Sequence, residues 1–169
     1  HMFRLTLTTS LALPRGLPLL HRMASLPPSI AHQEGEATTA DELKACKIGG
    51  CCGKDTPLLS SEAVLARMSA LPRWSLSDDG RVISKSFVAK NWGAALKFFN
   101  DVSAIAEEEG HHPDLHLTNW RDVKVDLSTH AIGGLSLPDL VLAAKIDAID
   151  VECSPKWLRE QGLLPPAAL

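Results

Sequence analysis

The sequence contains no tyrosine, and aromatic residues make up only 5% of its 169 residues. It has no run of roughly 18 uninterrupted apolar residues, the length that a membrane-spanning helix needs. Its net charge of −3 indicates no basic surface, which argues against direct binding to nucleic acid or to a strongly anionic membrane. The hydrophobic fraction of 45% is ordinary for a globular chain, so the length predicts one domain with flanking segments.

Acidic residues are missing from the first 33 residues, which are rich in Leu, Ser and Thr and include Arg4, Arg15 and Arg22. This composition predicts that residues 1–40 are a disordered leader and an organelle transit peptide, mitochondrial or, as the alternative, plastid. A secretory signal is the rival interpretation because residues 5–13 are mostly apolar, but the prolines fit it less well. Translation from Met23 would give a cytosolic form.

Cysteines are few, and three of the four lie in residues 41–57, which we interpret as a linker or a short lead-in: Cys46, Cys51 and Cys52. A metal knuckle would need a fourth ligand, and Cys153 is its only cysteine candidate. Reduced, mobile thiols are the favoured state in a reducing compartment, so no metal is expected. Residues 153–169 are rich in proline and predict a flexible tail.

Residues 58–152 carry the periodic patterns of a folded domain. Helix caps and hydrophobic spacing predict three helices, the first capped by Ser60 or Ser61, the second between Asn91 and Gly110, and the third over residues 137–149. Strands are predicted over residues 73–77, 81–88, 114–119 and 123–128, with a hairpin turn at residues 78–80. The order α-β-β-α-β-β-α predicts an α+β fold, a four-stranded antiparallel sheet with three helices on one face.

Four histidines and several carboxylates lie within 24 residues of the chain, and three of these histidines are candidate site residues. Glu107 precedes His111 by four positions, His112 is adjacent to His111, and His130 follows. Histidine exchanges protons near neutral pH, because its unperturbed pKa is about 6.5, so the cluster indicates proton transfer, a metal site or coincidence. A regular strand would send the adjacent histidines to opposite faces, but Gly110 allows a turn through which both can line one pocket.

Several motifs resemble those of the pterin-4a-carbinolamine dehydratases: residues 107–113, 114–120, 123–130 and 133–139, with Trp74 ahead of the first hairpin. The resemblance implies dehydration of 4a-hydroxytetrahydropterin to quinonoid dihydropterin, which is recycled to tetrahydropterin for aromatic amino acid hydroxylases. It also implies the site residues: His111 and His130 as the acid–base pair, His112 as a pterin-binding residue, and Glu107, Asp139 and Trp74 in support. A pterin substrate and a homodimer or homotetramer follow from the same resemblance.

The residues make chemical sense for that reaction. A carbinolamine loses water when N5–H gives up a proton and the C4a hydroxyl gains one, so one acid and one base suffice. No electrons move and no group is carried, so neither a redox cofactor nor a metal is expected. Imidazoles can fill both roles, and a neighbouring carboxylate would hold the ring in one tautomer.

Structural interpretations compete with these roles. Asp139 completes a capping box with Ser136, and Glu107 fits a solvated helix face. His116 is interpreted as part of a polar strand face and Trp120 as core or hairpin packing, so both are left outside the site. The site histidines, placed at a turn and a strand end, are expected to contribute little to the core.

Two other functions remain as alternatives. Relatives of the resembled family act as a dimerisation cofactor for a transcription factor or as assembly chaperones, so a non-enzymatic binding role is possible on the same fold. A hydrolase that binds a metal through His111, His112 and His130 is less favoured, because adjacent histidines rarely bind one ion and no HExxH pair is present.

Overall fold

A computed structural model describes residues 37–49 and 53–165. Five helices and four strands follow one another in this part of the chain: α1 (Ala40–Ala45), α2 (Ser61–Met68), β1 (Ser75–Leu76), β2 (Ile83–Val88), α3 (Trp92–Glu109), β3 (Asp114–Thr118), β4 (Asp122–Leu127), α4 (Leu137–Ile146) and α5 (Pro155–Glu160). A short 3₁₀ turn, His130–Ile132, lies between β4 and α4. None of the helices described is both long and apolar enough to cross a membrane.

The four strands form one antiparallel sheet in the order β1-β2-β4-β3, which confirms the predicted α+β fold. Alternate residues of the two central strands face the core, and they lie directly opposite one another: Ile83 with Leu127, Lys85 with Val125, and Phe87 with Val123. Since side chains alternate along a strand, the other face of the sheet carries the polar residues between them. The mainly apolar face of the sheet therefore packs against the helices.

Lys85 is the one charged member of that inner row in β2, and its side chain is only 7% exposed. Its Nζ lies 2.5 Å from Oδ1 of Asp147, the residue that ends α4. Burial lowers the pKa of Lys85, and the adjacent carboxylate only partly offsets this effect. The pair joins the sheet to the C-terminal end of α4.

Caps set the predicted helix boundaries. Ser60 Oγ accepts the Ala63 N–H at 3.2 Å at the start of α2, and Asn91 Oδ1 accepts the Ala94 N–H at 2.9 Å at the start of α3. Gly110 ends α3 in the left-handed conformation, with φ of 64°. The three predicted helices are therefore α2, α3 and α4.

Residues 37–49, here called the lead-in segment, include part of the predicted linker but pack against the domain. Thr39 and Glu42 form a capping box that starts α1. Leu43 and Ile48 are 0% and 3% exposed and belong to the core. The linker prediction is therefore wrong for this part, whereas Cys51, Cys52 and residues 1–36 lie outside the described residues.

The predicted flexible tail also contributes structure. Cys153 pairs with Ala89 in an antiparallel bridge, and the Ser154 N–H donates to the Val88 carbonyl at 2.7 Å. Helix α5 follows, and Trp157 packs against the core. Beyond α4 the chain therefore adds an isolated bridge beside the sheet and the short helix α5.

Candidate active site

The ends of four elements meet at one end of the sheet: the C-terminus of α3, the start of β3, the end of β4 and the N-terminus of α4. Gly110 turns the chain after α3, and the His111 N–H donates to the Ala106 carbonyl at 3.1 Å. This turn directs His111 inward, where it is 2% exposed, and leaves 60% of the His112 side chain exposed. The expected turn is present, but it places the two histidines at different depths.

His111 and Asp139 form a buried pair. Nε2 of His111 lies 2.7 Å from Oδ1 of Asp139, and the two side chains are 3% and 0% exposed. Because an ionised carboxylate only accepts, this geometry assigns the Nε2 proton to His111. The carboxylate holds the ring in one orientation, as in other histidine–carboxylate pairs.

The other oxygen of Asp139 accepts three hydrogen bonds. Thr129 Oγ1 donates to Oδ2 at 2.8 Å, and Ser136 donates from its N–H at 2.8 Å and from its hydroxyl at 3.0 Å. Asp139 is thus both the capping-box residue of α4 and the hydrogen-bond partner of His111. The N-terminal end of α4 also favours a negative charge here.

The remaining histidines lie at the surface with carboxylates beside them. Nε2 of His112 is 3.1 Å from Oε1 of Glu107, so Glu107 contacts His112 and not His111. Nε2 of His130 is 3.4 Å from Oδ2 of Asp114, with 73% of the His130 side chain exposed. His130 directly follows Thr129 in the chain, which ties its backbone to the Asp139 network.

Sequence reasoning overlooked three of these partners. Thr129 and Asp114 stand next to His130 and Pro113 in the quoted motifs, so adjacency was the available signal. Ser136 was noted only as a helix cap. Their roles depend on contacts between elements distant in sequence, which local patterns do not reveal.

Trp74 does not join this group. Its Nε1–H donates to Oδ1 of Asp147 at 3.2 Å, and Asp147 lies eight residues after Asp139. A helix rises 1.5 Å per residue, so the two carboxylates are about 12 Å apart along α4. Trp74 therefore supports the Lys85–Asp147 pair at the other end of the helix.

Two residues left outside the site also lie at the surface. His116 is exposed, with Nε2 3.2 Å from Oδ2 of Asp126 on the polar face of the sheet. Trp120 is 52% exposed in the β3–β4 turn, where the Arg121 guanidinium lies 4.7 Å from its ring centroid. Trp120 therefore belongs to the hairpin and not to the core.

The expectation that the histidines contribute little to the core is wrong for His111. Removing its imidazole would leave the buried Asp139 oxygen without that donor, at a cost of about 1–3 kcal/mol. Within residues 37–49 and 53–165, no group of three or more His, Cys, Asp or Glu side chains is arranged to hold a metal ion.

A family model described as pterin 4 alpha carbinolamine dehydratase matches residues 57–149, more than half of the chain. The chain belongs to the pterin 4 alpha carbinolamine dehydratase family. Helices α2 to α4 and all four strands fall within the matched range, and the lead-in segment precedes it. The buried pair and both exposed histidines are therefore part of the dehydratase-family domain.

Relatives of this dehydratase-family chain occur in plants and bacteria. "Pterin-4-alpha-carbinolamine dehydratase 2, mitochondrial" of Arabidopsis thaliana is 39% identical over 113 residues, 66% of this chain and 60% of the relative. The chain thus spans less than two thirds of that relative. A "putative pterin-4-alpha-carbinolamine dehydratase" of Chlorobaculum tepidum is 42% identical over 101 residues, 59% of this chain and 89% of the relative.

A solved structure gives the same fold. The crystal structure of a "transcriptional coactivator/pterin dehydratase" from Brucella melitensis matches with a TM-score of 0.50 and 30% identity. The match covers 54% of this chain and 97% of the Brucella chain.

Proposed function

We propose that the chain is a hydro-lyase that dehydrates 4a-hydroxytetrahydropterin to quinonoid dihydropterin in tetrahydropterin recycling. The observation that carries the proposal is the buried His111–Asp139 pair beside the exposed His130 and His112. Family membership and the names of the relatives support the same activity.

The reaction divides between two proton transfers. One imidazole accepts the N5 proton as the C4a–O bond breaks, and the other donates a proton to the departing hydroxyl, which leaves as water. His111, oriented by Asp139, and His130, beside Asp114, are the proposed pair. Each proton transfer contributes roughly 10²–10⁴-fold to the rate.

His112 has a different proposed role. Its ring is exposed and lies within hydrogen-bond distance of the exposed Glu107 carboxylate. The ring is therefore suited to hydrogen-bond a pterin at the surface. Binding of this kind is common to the ground state and the transition state, and its loss raises KM more than it lowers kcat.

The kinetic test uses alanine variants assayed with an excess of hydroxylase to supply the carbinolamine. His111→Ala and His130→Ala should each lower kcat by on the order of 10²–10⁴-fold. His112→Ala should chiefly raise KM, and the double variant His111→Ala/His130→Ala should lose less than the product of the single losses. His116→Ala is the matched control and should behave as wild type, because His116 lies on the outer sheet face.

Near-wild-type kcat in both His111→Ala and His130→Ala would refute the assignment. Activity should also survive exhaustive chelation, since the proposed steps need only protons. Loss of turnover with a chelator, restored by zinc, would instead favour a metal-dependent reaction.

A binding role is the second candidate. The Brucella relative is described as a transcriptional coactivator as well as a dehydratase. Trp92 and Leu96, at the start of α3, are 51% and 39% exposed, which gives the helix an apolar patch. If binding to another protein were the main role, the double variant His111→Ala/His130→Ala would still form that protein complex in sedimentation experiments. A Leu96→Asp variant would lose the complex without losing turnover.

We further propose a mitochondrial location and a homodimer or homotetramer. The name of the Arabidopsis relative and the acid-free leader support the location. The edge strand β3 offers unpaired backbone for a second copy. Cytosolic fluorescence of a fusion of residues 2–40 would contradict the first claim, and a monomer mass in sedimentation equilibrium would contradict the second.

A further inference from the structure

Glu109 is the last residue of α3 and stands two positions before His111. It is only 2% exposed, which is unusual for a carboxylate unless it is paired. The proposed chemistry makes no use of it. Its position next to the Gly110 turn nevertheless places it where the path of the chain into the site is set.

The carboxylate of Glu109 binds two other parts of the molecule. Its Oε2 accepts the Ile48 N–H at 2.9 Å, and its Oε1 contacts the Lys145 ammonium on α4. Lys47 adds a longer contact, with Nζ 3.7 Å from Oε1. Although burial raises the pKa of Glu109, these donors outweigh it, and the pKa lies below its ordinary value.

The lead-in segment is held at both ends. At one end the Arg67 side chain donates from Nε to the Ala37 carbonyl at 2.8 Å, and at the other Ile48 meets Glu109. Between these points Leu43 is fully buried, and α1 packs on α4. The segment therefore lies against both α3, which ends two residues before His111, and α4, which carries Asp139.

We infer that Glu109 is a positioning residue, and that by binding the Ile48 N–H it uses the lead-in segment to hold the His111–Asp139 pair in place. The inference rests on the proposed dehydratase function. The segment precedes residues 57–149, which the family model matches. A shift of about 1 Å at a reacting group can cost on the order of 10²-fold in rate.

The first test removes one hydrogen bond. Ile48→Pro deletes the N–H that Glu109 accepts, whereas Ile48→Ala keeps the N–H and loses more of the buried side chain. Ile48→Pro should lower kcat by on the order of 10-fold with little change in KM, and Ile48→Ala should stay within about twofold of wild-type kcat. Equal kcat in the two variants would overturn the inference.

The second test changes the carboxylate. Glu109→Leu should lower kcat as Ile48→Pro does, and Glu109→Gln, which can still accept the Ile48 N–H, should recover part of it. Glu108→Leu is the matched control, because the neighbouring Glu108 side chain is 65% exposed and pairs only with Lys47 among the contacts described. Wild-type kcat in Glu109→Leu, or an equal loss in Glu108→Leu, would contradict the proposal.

A spectroscopic readout separates this inference from the function on which it rests. The ring ¹⁵N and ¹H shifts of His111 report its hydrogen bond to Asp139 whether or not the protein turns over pterin. These shifts should change in Ile48→Pro and Glu109→Leu and should keep their wild-type values in Ile48→Ala and Glu108→Leu. Circular dichroism should show that all four variants are folded. A wild-type protein without dehydratase activity would contradict the proposed function but not the positioning role. Unchanged His111 signals in Ile48→Pro and Glu109→Leu would overturn the positioning role.

Discussion

Thr129 belongs to the buried network around Asp139, and its side chain can be altered with little change of shape. Its hydroxyl donates to Oδ2 of Asp139 at 2.8 Å. Thr129→Val replaces the hydroxyl with a methyl group, so it should lower the free energy of unfolding by about 1–3 kcal/mol and also reduce kcat. Urea unfolding and steady-state kinetics measure the two effects.

Thr129→Ser is the control for that variant, because it keeps the donor and loses only the methyl group. It should retain most of the activity and stability. If Thr129→Val and Thr129→Ser proved equally active, the hydroxyl would have no part in orienting Asp139.

At the scale of elements, the turn that ends α3 decides where the histidines lie. Gly110 has φ of 64°, a conformation that costs most L-residues about 1–2 kcal/mol but that asparagine adopts more readily. Gly110→Ala should therefore lower both the melting temperature and kcat, since the strain falls directly before His111. Gly110→Asn should be milder, and thermal unfolding monitored by circular dichroism would compare them.

Helix α1 gives a second prediction at this scale. Leu43 is fully buried under α4, so Leu43→Ala should reduce the free energy of unfolding by about 2–5 kcal/mol. Leu65 on α2 is 61% exposed, and Leu65→Ala should stay within about 0.5 kcal/mol of wild type. Equal effects in denaturant unfolding would mean that the lead-in segment does not pack on the domain in solution.

The sequence predicted the elements better than the face that each one buries. In α3, helical spacing predicts a core face that includes Ala95, Val102 and Ala106, and these three are buried. The same spacing predicts Trp92 and Leu96 on that face, but they are exposed, while Phe98 is buried instead. Two overlapping apolar stripes run along this helix, and only its packing against the sheet and α4 selects one.

The candidate site was also predictable only in part. The motif resemblance singled out His111, His130 and Asp139 as candidates, and of these His111 and Asp139 contact each other. Glu107 and Trp74 were expected as supporting residues; Glu107 contacts the exposed His112, and Trp74 lies at the far end of α4. These outcomes depend on the turn at Gly110 and on long-range docking, neither of which follows from spacing alone.

At the scale of the whole molecule, the Glu109 contacts predict how stability responds to acid. The folded pKa of Glu109 lies below its ordinary value of 4.5: burial raises it, but the Ile48 N–H and Lys145 lower it more. The ionised carboxylate therefore stabilises the fold at pH values above 4.5, and this stabilisation is lost as the pH falls through the folded pKa. Glu109→Gln should be less stable than wild type at neutral pH, with a gap that narrows in acid.

Urea unfolding across this pH range would measure the gap. Glu108→Gln is the control and should follow wild type throughout, since surface ion pairs contribute little. A gap between wild type and Glu109→Gln that stayed constant down to about pH 3 would contradict the prediction.

The Lys85–Asp147 pair also bears on how the sheet assembles. A one-residue slip of β2 against β4 would turn Lys85 outward and bring Ser84 and Ser86 to the inner face. A two-residue slip would keep Lys85 inside but move it away from Asp147, and a buried charge that loses its partner costs about 3–5 kcal/mol. A mispaired pair of side chains across strands costs only about 0.2–1 kcal/mol. One lysine thus disfavours the shifted alignments of β2 and β4 more strongly than the apolar residues around it do.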